Sequence, residues 1–382
     1  MRVMIRRLRE LGWQNMASVP GGIGEVTRRR GRWVPALLVS VLSALPACTA
    51  DSGDQHGTPI TPPATASGAP STTAAATPSQ PVPSPTASPP IPSRPMRELA
   101  PKTEAMIRVG GAPDWQVAAF GSVWVANDPL SVVQRIDART NRVVARLYVS
   151  RFSKPCAGMA AGFGSIWVPD CRTQILDRVD PATNKVIARI DTGIADFESY
   201  IGVGAGSVWI ISAPDELTRV DASSNRIAAR IRVPQGAVAV TFGFGFAWVT
   251  NNQTDSVTKV DPSTNEVVGS VDVGPAPRFL TAGAGNVWVL NQDDGTVSEI
   301  DPETGDVTSI AAGSPGEGGC IATGFGAVWV TIPEFPLTRI DAATGEVTDH
   351  YKGPGGDCLS VGSGSVWLSN LHFGMVWRIP PD

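Results

Sequence analysis

Seven tryptophans stand at nearly even intervals along the chain: Trp124, Trp167, Trp209, Trp248, Trp288, Trp329 and Trp367, spaced 43, 42, 39, 40, 41 and 38 residues apart. Three residues ahead of each is a glycine (Gly121, Gly164, Gly206, Gly245, Gly285, Gly326, Gly364). Six are followed, twelve or thirteen residues on, by an aspartate (Asp137, Asp180, Asp221, Asp261, Asp301, Asp341). A period near forty, built of short strand-like runs and tight-turn residues, is that of a β-propeller with one blade per repeat. The expected fold is therefore all-β: seven four-stranded antiparallel blades.

One repeat shows why. Residues 157–161, 165–169, 175–180 and 185–190 are strand-length runs bounded by turn residues. Gly162-Phe163-Gly164 supplies a hairpin, and Asp180-Pro181-Ala182-Thr183-Asn184 a turn in which Asp accepts backbone N–H bonds and Asn tolerates a left-handed exit. The aspartates thus read as structural. The tryptophan run is apolar at successive positions, which requires burial on both faces, as between neighbouring blades. The seventh repeat shows three runs and lacks a fourth. Met106-Ile107-Arg108-Val109-Gly110-Gly111-Ala112-Pro113 parallels the outer strand and exit loop Ser270-Val271-Asp272-Val273-Gly274-Pro275-Ala276-Pro277, so the N-terminal segment is expected to close the ring.

The propeller is assigned to residues 101–382. Ahead of it, residues 48–100 are rich in Pro, Ser, Thr and Ala, a composition that cannot bury enough apolar surface to offset ordering and reads as a disordered tether. Residues 1–47 read as a basic leader: Arg28, Arg29, Arg30 and Arg32 precede an apolar run over 33–45 that is too short to span a bilayer comfortably. Leu45-Pro46-Ala47-Cys48 resembles a bacterial lipobox, which implies lipidation at Cys48 and anchoring at the extracellular face of the cytoplasmic membrane; plain secretion is the alternative. The leader holds eight of the 31 basic residues and two of the 35 acidic ones, so the remainder carries a net charge of −10. An acidic exported domain without a basic stripe excludes nucleic acid as a partner. A monomer is expected.

From about residue 104 onward, the glycine hairpin, tryptophan and Asp-Pro-x-Thr-Gly/Asn features resemble the seven-bladed YVTN/YncE-type propellers and the virginiamycin B lyase-like group. In such propellers the strand before the glycine hairpin lines the central channel. The positions nine before each tryptophan then form a channel-mouth row: Trp115, Gly158, Tyr200, Ala239, Phe279, Cys320 and Cys358. Asp114, Arg278 and Asp357 lie one residue earlier, and Asn251, Asn291 and Asn370 stand three after their tryptophans. These residues suit a small polar or glycan-like ligand, with Asp114, Trp115, Tyr200, Arg278, Phe279 and the three asparagines as its contacts. The competing reading is that the aromatics plug the channel and the asparagines shape turns.

The lyase-like resemblance would imply a catalytic histidine and magnesium. His56 lies in the tether, and His350 aligns with exposed outer-strand positions. That leaves His372, with Asp357 and Glu317 on adjacent blades, as weak candidates for a base and metal site. The favoured expectation is a non-catalytic module, without a cofactor, for a ligand or an envelope protein. A lyase and a structural envelope protein are the alternatives. Two disulfides are expected. Cys156 and Cys171 face one another across the hairpin centred on Phe163, and Cys320 and Cys358 hold equivalent places on neighbouring inner strands.

Overall fold

The computed structural model describes residues 96–382 except 128–129, 150–155 and 196. The leader, the lipobox at Cys48 and most of the tether lie outside the described residues. The described chain forms seven antiparallel sheets arranged as a ring. Blade two is built of Ala160–Gly162, Ser165–Asp170, Ile175–Asp180 and Lys185–Asp191, from the channel outward. The other blades repeat this order. All seven repeat tryptophans are at most 1% exposed, and their strands pack the blades against one another.

The two glycines of each hairpin serve different ends. The second has positive φ, as at Gly164 (69°), and makes the tight turn. The first is a close-approach residue. A Cβ on Gly204, Gly243, Gly283 or Gly324 would run into Phe242, Ala282, Thr323 or Val361 of the next blade. Its carbonyl also accepts the indole N–H of its own blade, as in Trp167 Nε1 to Gly162 O at 3.1 Å. Blade one has Ala119 at this place, and there the Trp124 indole N–H is unpartnered.

A basic residue two positions before the turn aspartate forms a belt that composition did not disclose. Arg178 donates to Ser165 Oγ in its own blade and to Ala222 O and Asn225 Oδ1 in the turn of blade three, while its guanidinium lies 4.9 Å from the Trp167 ring. Arg135, Arg219, Lys259 and Arg378 make the corresponding links to their next blades. Blade six turns its Arg339 to Thr348 Oγ1 of its own blade, and blade five has no basic residue at this place. Its Glu299 accepts instead from Asn286, 2.5 Å away.

Blade seven is closed as expected, by Ala105–Arg108 pairing antiparallel with Met375–Ile379. Blade six departs from the four-stranded pattern. Met96–Glu98 adds to it in parallel, with Met96 opposite His350 and Glu98 opposite Lys352. A strand is thus present ahead of residue 101. Leu99, in a helical turn Leu99–Lys102, is fully buried. The expectation that His350 is exposed is corrected by this added strand: His350 is 3% exposed, its Nδ1 lies 3.1 Å from Thr338 Oγ1, and its ring stacks on Phe335 at 4.2 Å. Both disulfides are formed, Cys156–Cys171 with Cα atoms 5.8 Å apart and Cys320–Cys358 with Cα atoms 5.0 Å apart.

Candidate functional site

The inner strands surround a channel containing a cavity of about 230 Å³, which is lined from all round the ring. At the mouth, Trp115, Tyr200 and Phe279 reach over the axis from blades one, three and five. Their ring centroids are 5.7 Å (Trp115–Tyr200), 5.5 Å (Trp115–Phe279) and 4.9 Å (Tyr200–Phe279) apart. Tyr200 extends to blade six, where its hydroxyl accepts from Ile321 N at 3.3 Å; burial pushes its phenol up. Trp115 and Phe279 are 4% and 1% exposed and Tyr200 is half-buried, so the rings close over the axis and, of the three, Tyr200 keeps part of its surface exposed. Further part-exposed channel positions lie toward the opposite, hairpin end, at Ala118, Ala161, Val203 and Thr323.

Above this aromatic floor sits a polar rim. The Arg278 guanidinium lies 5.2 Å from the Phe279 ring and its Nη2 donates to Glu198 Oε2 at 3.0 Å, while its Nε is buried without a partner. Glu198, in the loop entering blade three, was not singled out in sequence; it lies two residues before the mouth-row Tyr200, outside any recurrent position. Asp114 is half-buried at the start of the blade-one inner strand, close enough to Tyr200 to oppose its ionisation.

The asparagines do not join this rim. Asn251 is 1% exposed; its Nδ2 donates to Pro234 O and Gln235 O and its Oδ1 accepts from Gln253 N and Thr254 N. Asn291 donates to Thr296 and Ser298 hydroxyls, and Asn370 ties Pro354 O to Phe373 N. Asn251 and Asn370 hold loops in place through backbone partners, whereas Asn291 bonds hydroxyls of the adjacent strand Thr296–Ile300 and its Oδ1 is buried without a partner. These contacts favour the alternative in which the asparagines shape turns.

His372 and Glu317 are exposed on the same face. Asp357 is half-buried; desolvation raises its carboxyl above the usual range, opposed by the Leu371 N–H that donates to Oδ2 at 2.8 Å and by nearby His372. Among the described residues no three His, Cys, Asp or Glu side chains are grouped as a metal ion would require. The donors at the mouth therefore do not fit a magnesium site. With Asp357 Oδ2 held by the backbone and Glu317 on another blade, they lack a converging set of oxygens.

No protein-family model matches the chain, and no curated protein matches it. Among solved structures, the chain is similar to one described as "Streptogramin B lyase structure", with a TM-score of 0.61 and 16% identity, covering 72% of this chain and 96% of that one. At that identity the likeness is one of fold.

Proposed function

Proceeding from the shared propeller fold, we propose that the chain is a non-catalytic binding module held by a lipid on Cys48 at the extracellular face of the membrane. It takes a polar, glycan-like ligand or the polar loop of an envelope protein on the mouth face. The observation that carries this reading is Arg278. Its guanidinium is fixed over Phe279 and engaged by one carboxylate, with a donor still unpartnered, above a rigid aromatic floor. The side chain is 25% exposed, and an acceptor-rich ligand would engage its outward N–H groups, the buried Nε excepted. Two disulfides agree with an oxidising, extracellular compartment. Among the described residues no helix is long and apolar enough to cross a membrane.

The test is a thermal-shift screen of the full chain against neutral and acidic mono- and oligosaccharides. Hits should lose their shift in Arg278→Ala and keep it in Asn251→Ala. Hits that ignore Arg278, or that require a divalent cation together with His372, would replace this reading with the lyase-like one. For the anchor, wild type should partition into the detergent phase and Cys48→Ala into the aqueous phase. Equal partitioning would leave secretion as the answer.

A further inference from the structure

Blade five differs from its neighbours in chemistry. Between Arg278 and Arg339 the sequence has no Lys or Arg and eight acidic residues. This stretch contains all of blade five except Pro277 and Arg278 at the start of its inner strand, and within it Glu299 interrupts the arginine belt.

The outer edge of the same blade is also unlike the others. Unpaired sheet edges are usually blunted by charges or bulges, because their free N–H and C=O groups otherwise accept a further strand. The outer strands of blades one to four and six each carry charged residues and a register shift consistent with a bulge. Blade six is in addition covered by Met96–Glu98, and the outer strand of blade seven has Arg108. In blade five, Val307–Ala311 reads Val-Thr-Ser-Ile-Ala, pairs with Thr296–Ile300 without a shift, and has no charged residue. Val307, Thr308 and Ser309 are exposed. Glu303 and Asp306 lie exposed at one end of this strip, and Asp293 and Asp294 stand near the other.

We propose that the outer edge of blade five is a docking site for an extended basic segment of a partner protein, which adds as a further strand along Val307–Ala311. The edge supplies backbone hydrogen bonds, and the acidic ends select a segment whose short, uncharged β-forming core is flanked by Lys or Arg. The neighbouring blade shows that this ring accommodates an added strand, since Met96–Glu98 occupies the equivalent edge of blade six with three paired residues. This site is separate from the mouth face and stands whether or not a ligand binds there.

The probe is a fluorescein-labelled synthetic peptide with a Val-Thr-Val-Thr-Val core and two lysines at each end, titrated by anisotropy into the full chain. Two further peptides carry backbone N-methyl groups on alternate core residues, one on each of the two alternating sets. Successive N–H groups of a strand point to opposite edges, so one methylation pattern should weaken binding at least tenfold and the other less than twofold. Glu303→Lys combined with Asp306→Lys should weaken the unmethylated peptide at least fivefold with no change in thermal unfolding. Equal binding of both methylated peptides would reduce the interaction to charge adhesion and overturn strand addition, as would the absence of binding. A dimer of the full chain that Thr308→Lys abolishes would overturn the proposal in favour of self-pairing.

Discussion

Asp177 shows how a single buried group sets a pH response. It is 1% exposed in blade two and paired with Arg189 at 3.2 Å; desolvation, opposed by that arginine, pushes its carboxyl up to about 6 from 3.8. The folded state therefore holds this proton more tightly than the unfolded chain does. Its contribution is fully present below about pH 4 and declines as pH rises toward 6, by up to about 1.4 kcal/mol per pH unit. Compared with Asp177→Asn in urea denaturation, wild type should lose stability across that window while the variant does not. The turn aspartates act oppositely: side-chain and backbone hydrogen bonds hold Asp221 down to about 2. At the belt, Arg178→Ala removes bonds to two blades and a contact with Trp167, and should cost about 1–2 kcal/mol, read as a lower melting temperature. Arg378→Ala should behave alike at the closing seam, where Arg378 bonds Ala138 O and Asn141.

At the scale of elements, the extra strand on blade six is the informative case. Leu99→Ala should destabilise by about 2–5 kcal/mol and speed hydrogen exchange in Val347–Lys352, because it loosens the turn that follows Met96–Glu98. Unchanged exchange there would show that the strand is held by its own pairing alone. The blades were legible in the sequence because their markers are local and recur, the tryptophan and glycine seven times and the aspartate six, so each corroborates the others. Met96–Glu98 was not legible. Met-Arg-Glu has neither the alternation nor the turn residues of a strand, and its partner lies some 250 residues away in sequence, at His350–Lys352. The mouth was half legible. Repeat arithmetic located Trp115, Tyr200 and Phe279 on one ring, but whether their side chains face outward or meet depends on packing across the axis, which no repeat encodes. The partners of the asparagines were not legible, since Asn251 and Asn370 bond loop backbone whose path is irregular and Asn291 bonds the Thr296 and Ser298 hydroxyls.

For the whole molecule, ring closure depends on contacts between distant parts of the chain. Cys320–Cys358 joins blades six and seven across a sequence separation of 38, for which the chain-entropy estimate is about 4 kcal/mol. Cys320→Ser should lower the melting temperature and raise hydrogen exchange in blade seven; a variant as stable as wild type would assign closure to strand pairing and the arginine belt. The same two blades receive the N-terminal segment, by Met96–Glu98 on blade six and Ala105–Arg108 on blade seven. Consider a pull on the chain ahead of Met96. Met96–Glu98 runs parallel to Val347–Lys352, so tension along it loads the pairing in shear, and its hydrogen bonds must fail together instead of unzipping singly. If that strand lets go, the load passes to Ala105–Arg108 on the next blade, already joined to the first by a covalent bond between Cys320 and Cys358. The propeller thus has its mechanical grip where its chain ends meet, and force applied there is shared by two blades before the ring itself is strained.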